Sequence, residues 1–137
     1  MIKAIFTLVL CLFTITLQSS KNKHKLPEFL TAKYPTKELV YQYAKHYGIK
    51  HPKIVVAQSI LETGHYKSKL CKQHNNLFGL YDSKNRRFYK FKTWQESVRA
   101  YKQKVQYKYK SGDYYAFLKR INYAKDPKYI TKLKRLT

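Results

Sequence analysis

The chain has 137 residues, of which 44% are hydrophobic, enough for one compact domain, and disorder is thereby excluded. Its 29 Lys and Arg against 7 Asp and Glu give a formal net charge of +22 and point to a polyanionic partner or surface; nucleic acid, anionic lipid and bacterial cell wall all fit. With 14 Tyr, 7 Phe and one Trp, much of the packing, and any ligand groove, is expected to be aromatic.

At the N-terminus Lys3 precedes a stretch without charge, Ala4 to Leu17, and the polar Gln18-Ser19-Ser20-Lys21 follows. Spanning a bilayer takes about 20 apolar residues, so residues 1–20 read as a signal peptide cleaved near Ser19 or Ser20 rather than as an anchor. Cys11 follows Leu10 and so lacks the small preceding residue of a lipoprotein site. Once the leader is gone only Cys71 remains, an internal disulfide is impossible, and Cys71 is either a buried small hydrophobe or a free thiol. The expectation is an exported protein, periplasmic or secreted, which does not meet chromosomal DNA and does meet the carboxylates of the envelope.

Residues 21–35, with four Lys and two Pro, read as a basic linker or a loosely docked arm, and residues 36–137 as the domain. Thr36 caps a helix through Leu39, Val40, Tyr43, Ala44 and Tyr47, which Gly48 ends. Pro52 fits the first turn of a second helix through Ile54, Ala57 and Leu61, stopping near Thr63-Gly64. After a polar stretch, Leu77 to Tyr81 and Arg87 to Phe91 are β-prone runs on either side of Asp82-Ser83-Lys84-Asn85, a small hairpin. Thr93 and Glu96 have the spacing of a capping box ahead of a stripe of Val98, Tyr101 and Val105. Asp113 caps a helix through Phe117, Leu118 and Ile121, and Asp126-Pro127 opens a last one through Ile130 and Leu133. The fold class is therefore α+β, mostly helical, with one small β-hairpin.

Five of the seven acids have structural roles as N-caps, first-turn residues or part of the arm, which leaves Glu62 and Asp82. Glu62 closes an apolar run, Ile54 to Leu61, in the last turn of its helix. The helix dipole and partial burial both disfavour an anion there, and a carboxyl that keeps its proton is what general-acid cleavage of a glycosidic bond requires. The competing reading is a solvated residue at a fraying helix end, salt-bridged to Lys67 or Lys69.

Three ordered blocks then carry a resemblance: Ala57-Gln58-Ser59-Ile60-Leu61-Glu62-Thr63-Gly64, Asn75-Asn76-Leu77-Phe78-Gly79-Leu80 and Tyr123-Ala124-Lys125-Asp126-Pro127-Lys128-Tyr129. Over roughly residues 36–136 the chain resembles the bacterial endo-β-N-acetylglucosaminidases of glycoside hydrolase family 73, found in flagellar muramidase-type domains and autolysins. The resemblance implies a lysozyme-like fold and cleavage of the bond after N-acetylglucosamine in peptidoglycan. By position Glu62 matches the general acid, Asn75, Asn76 and Phe78 the block that shapes the groove, Tyr123 a tyrosine near the reacting sugar, and Tyr129 that block's second tyrosine. From the residues alone, Asn76 to Gly79 also reads as a turn entering a strand, Asp126 as an N-cap, and Trp94 as core. Tyr81, Phe88 and Tyr89 either stack on sugar rings or pack the core.

The chain departs from the pattern in having Tyr66 where relatives carry Gly, Leu80-Tyr81 for Ile-Lys, and no acid in residues 83–95, where many members carry a second glutamate. Asp82 is the nearby carboxylate: turned inward it orients a water, and turned outward it leaves the substrate's acetamido group as nucleophile. No Cys–His or zinc-ligand pattern is present, so neither a metal nor a cofactor is expected, and peptide-amide hydrolysis lacks its chemistry. The expected partners are peptidoglycan glycan strands and anionic envelope polymers, met by a monomer. The alternating Lys and Tyr of residues 101–110 would engage nucleic acid in vitro, but an exported chain gives that no physiological role. A wall-binding module without strong catalysis and a lytic transglycosylase are the remaining alternatives.

Overall fold

The computed structural model describes residues 25–137. The signal-peptide reading, Cys11 and the start of the arm lie outside the described residues. Among the described residues, seven α-helices, one 3-10 turn and one two-stranded antiparallel hairpin make a mostly helical α+β domain, as expected. Among the described residues no helix is long and apolar enough to cross a membrane.

The centre of the molecule is α3 (Pro52–Thr63), in which every residue from Val55 to Ile60 is buried. A helix buried on all sides must be covered by several neighbours. Here α2 (Lys37–His46) and α7 (Tyr129–Leu136) lie against it, while α5 (Trp94–Lys104) packs on α2. Aromatic volume fills the space between, with Trp94, Tyr101, Tyr114 and Phe117 fully or almost fully buried.

Local chemistry sets most helix ends. Thr36 Oγ1 accepts from Leu39 N at 3.2 Å and starts α2, and Asp113 Oδ1 accepts from Ala116 N at 2.9 Å and starts α6 (Tyr114–Arg120). Such caps contribute about 1 kcal/mol each. Gly64 closes α3 in the left-handed conformation at φ 54°. In the capping box at α5, Thr93 Oγ1 accepts from Glu96 N at 3.4 Å, but Glu96 reaches past Thr93 to accept from Lys92 N at 2.8 Å.

The structure corrects four readings. The polar stretch after Gly64, to which no element was assigned, contains α4 (Lys69–His74), capped by Ser68 Oγ accepting from Cys71 N at 3.1 Å. The hairpin is shorter than its β-prone runs: β1 (Tyr81–Asp82) pairs with β2 (Arg87–Phe88), and Leu77 to Leu80 is loop, because Asn76 takes the hydrogen bonds a strand partner would take. Asp126 does not cap α7; it accepts from Lys128 N at 2.8 Å and from Lys132 Nζ at 2.7 Å, and the helix starts later. Finally, residues 25–35 are seated rather than loose. They include the single turn α1 (Glu28–Thr31), whose neighbour Ala32 accepts from Trp94 Nε1 at 2.8 Å and from Gln95 Nε2 at 3.1 Å.

Candidate active site

Glu62 sits half-buried in the last turn of α3, one residue before the buried Thr63. Burial raises its carboxyl above the ordinary carboxylate value of 4.5, and the neighbouring Tyr129 hydroxyl pulls more weakly in the other direction. Among the described residues no Lys or Arg comes within ion-pair distance of it, so the salt bridge to Lys67 or Lys69 does not form.

The loop from Asn75 to Leu80 closes over that carboxyl. Gly79 has φ +62°, and the position its Cβ would take is 3.4 Å from Glu62 Oε2, so this glycine meets both a backbone and a space requirement. Asn76, fully buried, holds the loop in shape: its amide nitrogen donates to Leu80 O at 2.9 Å and Tyr89 O at 3.1 Å, and its oxygen accepts from Leu80 N at 2.9 Å. Asn75 ends α4 at φ 50° and donates to Phe91 O and Lys92 O. Phe78 buries its ring 4.5 Å from that of Tyr101, and its carbonyl accepts from Tyr123 OH at 3.0 Å. Asn75, Asn76 and Phe78 thus build the loop from within rather than present side chains outward.

The two tyrosines of the last block meet here, their ring centroids 5.8 Å apart. Tyr129 is buried and acts directly on Glu62, while half-buried Tyr123 lies beside it; desolvation raises both phenols, which stay neutral donors. Behind them Gln58 forms a contact that sequence reading passed over. Its amide nitrogen donates to Tyr129 OH at 3.3 Å, and its oxygen accepts from Tyr101 OH at 2.6 Å. Tyr101 then meets Tyr114 OH at 2.8 Å, which accepts from Gln106 Nε2 at 2.9 Å. The available signal was a polar side chain inside an apolar helical run, four residues before Glu62 and therefore on its face.

Asp82 is not part of this group. Both its oxygens accept from Asn85, from the backbone N at 3.2 Å and from the side-chain amide at 2.7 Å, and these bonds hold it below the usual carboxylate range. It caps its own turn, and those bonds favour its anion. Tyr81 is exposed on the hairpin, its ring edge-on to Phe88 at 5.2 Å.

The glucosaminidase family model, described as mannosyl-glycoprotein endo-beta-N-acetylglucosaminidase, matches residues 37–137. The chain belongs to this family. A search of curated proteins and a search of solved structures each find no match. Membership makes the domain one of glycan-hydrolase type, and the match begins at the first residue of α2, so the arm with α1 precedes it. Within this glucosaminidase domain, the second and third blocks of the sequence motif converge on Glu62 of the first through Gly79 and Tyr129. Among the described residues no three of His, Cys, Asp and Glu gather as metal ligands would.

Proposed function

We propose that this domain hydrolyses the β-1,4 bond after N-acetylglucosamine in peptidoglycan glycan strands, with Glu62 as general acid. The observation that carries this reading is the burial of Glu62 beneath the Gly79 loop, which keeps its carboxyl protonated further toward neutral pH than an exposed glutamate. Glu62 donates its proton to the glycosidic oxygen as the bond from C1 to that oxygen breaks.

The second role falls to the substrate. Asp82 is tied to Asn85, so the acetamido oxygen of the N-acetylglucosamine attacks C1, and water then opens the cyclic intermediate with the Glu62 carboxylate taking the proton back. Tyr129 supplies a neutral hydroxyl donor at the acid and is fixed by Gln58, while the Tyr123 hydroxyl donates to Phe78 O and braces the loop beside it. Lytic transglycosylation is the second reading, supported by the same single acid, and it differs in product: anhydro-muramic ends in place of reducing N-acetylglucosamine. The leader read in residues 1–20 would deliver the enzyme to the wall, as a periplasmic or secreted protein.

The test is mass spectrometry of purified peptidoglycan after digestion by wild type and by Glu62→Gln. Wild type yields reducing N-acetylglucosamine ends without new amino termini, and its activity falls on the alkaline side as Glu62 loses its proton. The variant keeps wall binding and the fold and loses nearly all cleavage; undiminished product would remove Glu62 from the chemistry.

A further inference from the structure

Behind Glu62 a line of polar side chains crosses an otherwise aromatic core. Gln106, Tyr114, Tyr101, Gln58 and Tyr129 are all buried, each comes from a different element, and only Tyr129 acts on the acid directly.

One end of the line is anchored to main chain. Gln106 Oε1 accepts from Lys50 N at 2.8 Å and its Nε2 donates to Lys50 O at 2.8 Å, so this amide has a single orientation. The same nitrogen donates to Tyr114 OH at 2.9 Å. Tyr114 has one proton to give, and because Gln106 offers it only an N–H, that proton goes to Tyr101 OH, 2.8 Å away. Tyr101 sends its own proton to Gln58 Oε1 at 2.6 Å, which leaves the Gln58 amide nitrogen to donate to Tyr129 OH at 3.3 Å. Turning Gln58 over would point its N–H at Tyr101, send the Tyr101 proton back to Tyr114, and leave the Tyr114 proton facing the Gln106 N–H. A buried donor without an acceptor is disfavoured, so that arrangement is excluded. Every proton in the line therefore points the same way, and the last of them, on Tyr129, is donated to Glu62.

We propose that Gln58 and Tyr101 are positioning residues for the acid: through Tyr129 they hold a hydroxyl in the direction that donates to the carboxylate Glu62 becomes when its proton leaves. A donor oriented in advance favours that anion, so it eases proton release to the glycosidic oxygen and steadies the carboxylate until the proton returns. A fully satisfied buried network also fixes one arrangement, which an apolar filling of the same volume would not do. Burial raises the Tyr101, Tyr114 and Tyr129 phenols, so the line orients hydroxyls and carries no proton from end to end. The titratable groups that act around Glu62 are Tyr129 of α7 and Tyr123 of the loop before it; the Asn75 to Leu80 loop brings none, and the Tyr66 hydroxyl is turned to Ser59. Among the described residues no Lys or Arg pairs with the acid. The use of this device in catalysis rests on the reading of Glu62 as general acid; the direction of the hydrogen bonds does not.

The experiment is carboxyl-carbon NMR titration of the full chain carrying isotope-labelled glutamate, with Glu62 assigned by the signal lost in Glu62→Gln, alongside the pH profile of peptidoglycan cleavage. In Tyr101→Phe, Gln58 is free to turn and accept the Tyr129 proton, so the Glu62 midpoint and the alkaline limb of cleavage should move to higher pH together. Gln58→Met cuts the line at the next link and should act in the same sense. Tyr129→Phe removes the donor outright, moves both further, and should lower kcat about tenfold below the limb. Phe117→Leu, a change in the core outside the line, should cost stability and leave the midpoint in place. A midpoint that stays or falls in Tyr101→Phe and Gln58→Met would overturn the inference, as would an equal rise in Phe117→Leu. The expected midpoints in a chain that cleaves no glycan would sink the hydrolase reading and leave the positioning standing; an unmoved midpoint with cleavage lost in Glu62→Gln would do the reverse.

Discussion

At Glu62 one side chain meets two opposing demands, and burial is the stronger. Because its carboxyl is raised above 4.5 in the folded protein, its protonated form is favoured by folding: the associated stability is fully present at acid pH and lost as pH rises through the raised value. Glu62→Gln, which mimics the protonated form, is therefore expected to melt with wild type below the ordinary carboxylate range and above it near neutral pH. Calorimetric melting across that pH series checks the sign, and a variant less stable at neutrality would show that the anion is the favoured form. Gly79 makes a second prediction. An alanine there takes a left-handed backbone at about 1–2 kcal/mol and sets a methyl against Glu62 Oε2, so Gly79→Ala should lose stability to urea and cleavage activity together. Activity retained in full would separate the loop from the acid. At Tyr66, φ +63° is borne by a bulky residue whose hydroxyl meets Ser59 Oγ at 2.9 Å; burial pushes that phenol up to about 12. The hydrogen bond and ring packing offset what a glycine would spare in backbone strain.

Among the elements, the arm is docked by hydrogen bonds from α5. Trp94, fully buried, donates to Ala32 O from the first residue of α5 and ties α1 to a helix more than sixty positions away in the chain. Trp94→Phe removes that bond and leaves a small void, so a loss of about 1–3 kcal/mol is expected, with faster amide exchange in residues 28–35. Exchange unchanged there would assign the docking to Gln95 alone. The hairpin is the opposite case. Its two residue pairs expose Tyr81 and Phe88, and its one acid, Asp82, is bonded to Asn85 within its own turn.

For the whole molecule, the net charge of +22 acts over distance rather than at the acid. Screening shortens from about 10 Å at 0.1 M salt to about 3 Å at 1 M, so retention on insoluble wall should fall steeply over that range. Cleavage of a short neutral N-acetylglucosamine oligomer should not follow it. Turnover assays on both substrates at matched salt provide the check, and equal sensitivity would place the lysines in the chemistry itself.

Helix ends were legible because their causes are local: Thr36, Pro52, Gly64, Thr93 and Asp113 each act within a few residues of themselves. The position of Glu62 at the end of an apolar helix was legible for the same reason. The helix α4 was not, since a six-residue segment with only Leu70 and Cys71 apolar carries too little periodicity to be read. Nor were the partners of the acid. Gln58 reaches Tyr129 across 71 positions, and Tyr123 reaches Phe78 across 45, and no spacing rule spans such intervals. Which way Asp82 turned also depended on packing, because an aspartate beside an asparagine at a hairpin tip reads equally well as cap or as catalyst until the backbone is in place. Patterning within a helix turn thus sufficed for the elements and for the candidate acid. The environment that raises its carboxyl, and the docking of the arm on α5, required distant segments to be brought together by burial.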